Sequence, residues 1–215
     1  MKRTLLFLCL LALCKLTLLA QIGDGPRDVS AAEQSASQVP PQEVPVALKT
    51  IYSNLGNKSD LYTCCGFILT GPNSSFGFSS FTAMPFTPKS DAHVSQVQVA
   101  MQYRSGANQI NLSIYSDSGG VPGTLLAGPV TVTNLPTHGT CCTLDIAGFT
   151  PVAVIAGTQY WVVADTPLTG TGSDFQGEWA LSPKPIIPSV FDNGSGWYSV
   201  NVDELPAGEV RGTVP

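Results

Sequence analysis

Two pairs of adjacent cysteines carry the clearest chemistry in this chain of 215 residues. Two further cysteines, Cys9 and Cys14, lie near the N-terminus and are assigned to an export signal. The mature chain then keeps two pairs, Cys64-Cys65 and Cys141-Cys142. An even number of cysteines in an exported protein indicates disulfides. Because neighbouring residues of a strand point to opposite faces, two bridges between the same strands would lie on opposite sides of the sheet.

Four cysteines allow three pairings. Antiparallel strands would join Cys64 to Cys142 and Cys65 to Cys141, and we expect this arrangement. Parallel strands would join Cys64 to Cys141 and Cys65 to Cys142, and the third arrangement is two vicinal disulfides. An interstrand bridge would close a loop of about 80 residues and stabilise the fold by roughly 4 kcal/mol.

Two metal sites, one for zinc and one for calcium, are weaker hypotheses. His138 lies close to Cys141, but zinc ligands are normally separated by two to four residues and adjacent thiolates diverge. Asp117 offers a carboxylate that suits Ca²⁺, although Asp117-Ser118-Gly119-Gly120 is a typical turn sequence. We expect a turn at Asp117, no metal and no cofactor.

The acidic residues do not form a convincing catalytic pair. Asp174 and Glu178 would lie about 13 Å apart on a strand, further than the roughly 5–9.5 Å that glycoside-cleaving carboxylates need. Asp203 and Glu204 are adjacent and would diverge. The Gly-x-Ser-x-Gly, His-Glu-x-x-His and Walker motifs do not occur, although a Ser-His-Asp triad need not be close in sequence. We therefore expect a protein that is not an enzyme, with polysaccharide cleavage as an alternative.

Aromatic residues in polar surroundings suggest binding instead. Trp179, Trp197 and Tyr198 lie in Gly- and Ser-rich stretches, and Asn193 begins the Asn-Gly-Ser-Gly sequence before Trp197. Exposed rings can stack on sugar rings while amide side chains bond hydroxyl groups. The favoured interpretation is that these rings cover the ends of the core, with ligand binding as the alternative.

Composition excludes some partners. Charged residues make up 12% of the chain, about half the usual share of roughly 25%. The net charge of -5 disfavours nucleic acid and anionic membrane surfaces as partners. Extracellular polysaccharide and envelope proteins are the expected classes.

The N-terminus predicts export. Lys2 and Arg3 precede a short apolar run, which is typical of a signal peptide at residues 1–20. An uncleaved anchor and a lipid on Cys14 are alternatives. Residues 21–47 have the composition of a disordered spacer, with a short helix at 29–38 as an alternative. We expect a secreted, periplasmic or extracellular protein whose mature chain does not span a membrane.

From residue 48 onward the pattern is that of short strands. Apolar and polar residues alternate over 94–103 and 110–115, and the turn-forming stretch 104–108 predicts that the two form a hairpin. Such spacing favours an all-β fold, an antiparallel, jelly-roll-like β-sandwich over 48–215. Further strands are predicted at 49–54, 62–69, 76–86, 125–133, 142–147, 158–165, 176–181, 197–202 and 208–213.

Several segments also resemble a known family. Residues 114–126, Ile-Tyr-Ser-Asp-Ser-Gly-Gly-Val-Pro-Gly-Thr-Leu-Leu, are similar to the signature hairpin of the bacterial choice-of-anchor R domains. Residues 50–55, 83–88 and 157–163 resemble that family's other strands. The resemblance implies an exported β-sandwich domain without established activity. Because the sequence stops at Pro215 without the family's sorting tail, we expect a periplasmic or freely secreted protein.

The sequence therefore predicts a non-catalytic module with a structural or adhesive role. A carbohydrate-binding module is the main alternative. An exposed aromatic groove would favour that alternative.

Overall fold

The computed structural model describes residues 47–184, 189–200 and 204–215. Every regular element among them is a strand, so none of these residues forms a helix that could cross a membrane. The predicted signal peptide, and the predicted spacer up to residue 46, lie outside the described residues. The strands are β1 (Lys49–Ser53), β2 (Thr63–Thr70), β3 (Phe81–Phe86), β4 (Ala92–Val99), β5 (Met101–Ser105), β6 (Gln109–Asp117), β7 (Pro122–Thr133), β8 (Asp145–Val154), β9 (Tyr160–Asp165), β10 (Gln176–Leu181), β11 (Ser189–Asp192), β12 (Trp197–Val200) and β13 (Gly208–Thr213).

These strands pair in three antiparallel sheets. One sheet has six strands in the order β12-β11-β3-β9-β6-β7. A second has four strands in the order β1-β13-β4-β8, and a third has three in the order β2-β10-β5. The all-β, antiparallel architecture predicted from alternation is therefore confirmed.

One large apolar core lies between the sheets. It takes side chains such as Met84 and Leu112 from the six-stranded sheet, Val97 from the four-stranded sheet, and Leu69 and Trp179 from the three-stranded sheet. Because these residues alternate with outward-facing ones, each sheet contributes a single face to this cluster. This is the packing of a β-sandwich, with the six-stranded sheet opposite the other two.

The two smaller sheets meet at Ala100. The sequence predicted one strand over 94–103, but the structure has β4 and β5 with Ala100 between them. The amide of Ala100 donates to the carbonyl of Ala207, and its carbonyl accepts from the amide of Ala180. The amide of Ala207 in turn donates to the carbonyl of Ala180. All three alanines are fully buried, so the small side chain permits close approach of the three backbones.

The predicted hairpin between 94–103 and 110–115 is wrong. β5 belongs to the three-stranded sheet, whereas β6 pairs with β7 and β9 in the six-stranded sheet. The turn between them therefore crosses from one layer to the other. Gly106 has a φ of +82°, and a Cβ there would overlap the carbonyl oxygen of Asp174. Alternation alone gave the strands but not the layer to which each belongs.

The hairpin predicted around Asp117 is present. β6 and β7 pair up to Asp117 and Pro122. Gly119 and Gly120 have positive φ values, and the amide of Gly120 donates to the carboxylate of Asp117. The aspartate thus caps its own turn, as the sequence predicted.

Candidate ligand-binding site

A groove lies on the outer face of the three-stranded sheet. In the sheet register, Ile68 of β2 and Gln102 of β5 both lie opposite Glu178 of β10. Their neighbours Leu69, Met101 and Trp179 face the core, so the row containing Glu178 faces outward. The loops 71–80 and 136–143 lie at opposite sides of this face, and we call the space between them the β10 groove.

The loop 71–80 supplies an apolar wall. Phe76 and Phe78 are 50% and 49% exposed, and their ring centroids are 5.8 Å apart. The two backbone bonds between Thr70 and Ser80 close the base of this loop. Ile68 is 49% exposed beside it. These rings stay accessible on a closed loop, which is an unusual position for large apolar side chains.

The groove contains a cavity of about 200 Å³. Ile68 and Phe76 line it from the apolar side, Arg104 and Gln176 from the polar side, and Gly177 from the strand between them. The Gln176 amide is held on both sides, since Nε2 donates to Oγ of Ser75 and Oε1 accepts from Oγ of Ser105 at 2.9 Å.

The loop 136–143 forms the opposite wall and is fixed to β5. Backbone bonds of 2.8 Å join Tyr103 to Pro136 and His138 to Tyr103. The buried side chain of Gln102 accepts from the amide of Gly139 at 2.8 Å and donates to the carbonyl of Thr140 at 3.1 Å. The position of His138 is therefore set by bonds on both sides of it.

Glu178 is the centre of a polar cluster beneath this wall. Its Oε2 is 3.0 Å from Nη2 of Arg104, and its Oε1 is 2.6 Å from Nδ1 of His138. The Glu178 side chain is 3% exposed, so a buried carboxylate has two partners that reach the surface. Burial of a charge without such partners would be costly.

The same cluster determines which nitrogen of His138 carries a hydrogen. Nη2 of Arg104 lies 3.0 Å from Nε2 of His138, and an arginine can only donate. Nε2 must then accept, so Nδ1 carries the hydrogen and donates to Glu178. Both ring nitrogens have partners within the protein. The arrangement therefore holds Arg104 in place through two contacts.

Trp179 does not belong to a ligand site. It is fully buried, and its indole donates to the carbonyl of Ala207 at 2.8 Å. The prediction that Trp179 binds a ligand is therefore wrong. Its polar neighbours in sequence face outward from the three-stranded sheet, while the ring itself faces the core.

The other predicted binding residues lie at the edge of the six-stranded sheet. Asn193 is in the turn between β11 and β12, where its Oδ1 accepts from the amide of Ser195 at 3.2 Å. Trp197 is partly buried against the cluster around Trp161, and Tyr198 is 45% exposed. Tyr198 thus stays a candidate contact residue that does not line the cavity of the β10 groove.

In the structure Cys141 and Cys142 are joined to each other, which is the vicinal arrangement and differs from the interstrand pairing expected for antiparallel strands. The strand predicted over 142–147 begins only at Asp145, so these cysteines lie in a loop where strand alternation does not apply. Cys64 and Cys65 lie in β2, where the pairing with β10 is irregular. Tyr62 connects the two regions, because its hydroxyl is 3.1 Å from the carbonyl of Thr143.

The described residues do not provide a set of ligands for either the zinc or the calcium hypothesis. The Asp117 carboxylate faces three N–H donors, since Nε1 of Trp161 and Nε2 of Gln159 are each 2.8 Å away and the amide of Gly120 is the third. Such donors compete with a cation for the same oxygens. Across the described residues there is no group of three acidic, histidine or cysteine side chains that could hold a metal ion.

The two carboxylates considered for glycoside cleavage have different surroundings. Asp174 accepts from the amide of Ala107 at 3.1 Å, at the turn between the layers. Glu178 is held by Arg104 and His138. Asp203 lies outside the described residues.

Sequence reasoning missed the residues that form the groove. Phe76 and Phe78 were assigned to a strand over 76–86, and Arg104 to a turn. The overlooked signal is the Phe-Gly-Phe sequence within a polar stretch of Ser, Asn and Gly residues. Two large rings in a stretch so rich in Ser, Asn and Gly indicate exposed aromatic residues on a loop. No local signal joins Arg104 to Glu178, which lies 74 residues further along the chain.

Neither a protein-family model nor a curated protein matches the chain. The resemblance to choice-of-anchor R domains therefore stays a prediction.

Proposed function

We propose that this protein is a non-catalytic β-sandwich module that binds extracellular polysaccharide in the β10 groove. The observation that carries the proposal is the pair Phe76 and Phe78, which are half exposed on a closed loop beside polar side chains. Sugar rings have one apolar face and a rim of polar groups, and a groove with one apolar and one polar wall complements both.

The proposal combines the adhesive role expected from the sequence with its carbohydrate-binding alternative. A binding role needs fixed walls, and both loops are tied to neighbouring strands by backbone bonds. It does not need an activated nucleophile or a free base, in keeping with the paired nitrogens of His138. The N-terminal sequence supports a location outside the cytosol, where such ligands occur.

Affinity electrophoresis of the full chain in gels that contain soluble polysaccharides tests this function. We expect at least one polysaccharide to retard the wild-type protein, and the double variant Phe76→Ala/Phe78→Ala to lose that retardation. Ile155→Ala is the control, because Ile155 is an apolar side chain that is 62% exposed and does not line the cavity of the groove. Absence of retardation by every neutral and acidic polysaccharide would contradict the proposal.

A further inference from the structure

We propose that the β10 groove selects sugars that carry a carboxylate, with the uronate carboxylate bound by Arg104 and the sugar ring packed on Phe76. This inference rests on the proposed function and names its ligand class. It is carried by the position of a half-exposed guanidinium opposite an apolar wall in one small cavity.

Arg104 has hydrogen-bond donors to spare. An arginine side chain has five N–H donors. The contacts with Glu178 and His138 both use Nη2, so the hydrogens on Nε and Nη1 are not needed for either. Arg104 also lines the cavity. Because Nη2 is already held, the guanidinium loses little side-chain freedom when a ligand binds.

The charge of Arg104 is not cancelled at the groove surface. Glu178 lies below it and is almost completely buried, whereas the Arg104 side chain is 47% exposed. A ligand carboxylate on the outer edge of the guanidinium would be nearer to Arg104 than to Glu178, so attraction exceeds repulsion. The net charge of -5 works against anionic ligands only over distances that physiological salt screens, beyond about 8 Å.

The size of the cavity sets the length of the bound segment. Its volume of about 200 Å³ is below the roughly 300–1,000 Å³ of pockets for drug-sized ligands. It therefore holds a single sugar unit, with the rest of the polymer outside. A uronate unit has an apolar ring face for Phe76 and a carboxylate at the ring edge for Arg104. A neutral sugar satisfies only the aromatic wall and ordinary hydrogen bonds, which are weaker than charge-assisted ones.

A matched pair of ligands tests the inference without any change to the protein. Titration calorimetry of the full chain would compare oligogalacturonate and oligoalginate with the same oligosaccharides after reduction of their carboxyl groups. We expect binding of at least one uronate, with at least tenfold lower affinity for its carboxyl-reduced form. Equal affinity within twofold, or binding of neutral sugars alone, would overturn the uronate inference while leaving the proposed function intact. Absence of binding to any sugar would overturn both.

Variants then locate the carboxylate contact. Arg104→Gln/Glu178→Gln removes both charges of the ion pair while keeping side chains of similar size, so the fold does not retain an unpaired buried charge. We expect it to bind the uronate and its reduced form equally. Lys89→Gln removes an exposed positive charge from the loop between β3 and β4 and should keep the tenfold preference. Retention of that preference by the double variant would overturn the role of Arg104.

Discussion

Arg104 and Glu178 form an ion pair between neighbouring strands of the three-stranded sheet, with 3.0 Å between Nη2 and Oε2. The carboxylate is buried and the guanidinium reaches the cavity of the β10 groove. One contact thus satisfies the buried charge of Glu178 and holds the cavity-lining charge of Arg104 in place. The fold and the proposed function depend on the same pair.

The first prediction concerns the coupling of this pair. Arg104→Gln removes one of the two partners of the buried Glu178 carboxylate in this cluster and leaves His138. The variant should therefore lower the free energy of unfolding by about 1–3 kcal/mol. The cost should fall short of that of breaking a fully buried pair, about 3–5 kcal/mol, because Arg104 is half exposed. Arg104→Gln/Glu178→Gln should be more stable than the sum of the two single changes predicts. Urea unfolding of all four proteins measures the coupling, and additivity within about 0.5 kcal/mol would contradict it.

The second prediction separates the tryptophans. Trp179→Ala should lower the free energy of unfolding by about 3–5 kcal/mol, because it removes a fully buried ring from the core. Trp197→Ala should cost less than half as much, since this ring is only partly buried. Equilibrium denaturation compares the two. An equal loss of stability in both variants would show that the ring of Trp197 is as important to the core as that of Trp179.

The third prediction concerns pH and Asp145. Burial raises the pKa of Asp145 to about 7, although a hydrogen bond from the backbone of Met101 works in the opposite direction. A carboxyl group with a raised folded-state pKa binds more protons in the folded state between its unfolded value, about 4, and pH 7. Its contribution to stability is therefore present below pH 4 and is lost as pH rises through about 7.

Asp145→Asn removes this titration. The wild-type free energy of unfolding should fall relative to the variant by a few kcal/mol between about pH 4 and pH 8. The two proteins are compared by the slope of the free energy of unfolding against pH, because the amide introduced in the variant also changes stability by an amount that does not depend on pH. Urea unfolding at intervals across this range gives both slopes. Parallel pH profiles would mean that Asp145 has the same pKa in the folded and unfolded chains.

The fourth prediction concerns the vicinal disulfide. A bond between adjacent residues closes almost no loop, so it constrains the unfolded chain far less than a bridge across about 80 residues. Cys141→Ser/Cys142→Ser should change the free energy of unfolding by less than about 1 kcal/mol, and Tm by less than about 4 °C. Peptide mapping without reductant should find Cys141 and Cys142 linked within one peptide. A peptide linked to β2, with a Tm loss above about 10 °C, would restore the interstrand pairing.

Alternation in the sequence was enough to find most strands. β10 and β13 lie where the pattern predicted them, at 176–181 and 208–213. β11 was missed because it has only four residues and follows a stretch rich in Pro and Ile. The connection from β5 to β6 passes from one sheet to the other, but the sequence predicted a hairpin there. Both kinds of connection use the same turn-forming residues, so the sequence does not distinguish them.

The site was harder to predict because its contacts are not local. Glu178 was recognised as an acidic residue of interest, but its partner Arg104 is 74 residues away. Trp179 was considered as a possible ligand-binding residue because its surroundings in sequence are polar, whereas strand geometry places it on the opposite face from Glu178. To predict such a site, one must know which face of the sheet each residue occupies and which strands are neighbours. That information comes from the sheet register and not from the local sequence.

Hydrogen–deuterium exchange of the full chain, with and without a saturating oligosaccharide identified by gel retardation, tests the location of the ligand most directly. We expect slower exchange in peptides that cover 71–80, 102–106 and 136–143, with little change at 192–200. Protection confined to 192–200, around Asn193 and Tyr198, would contradict this expectation and place the ligand at the edge of the six-stranded sheet.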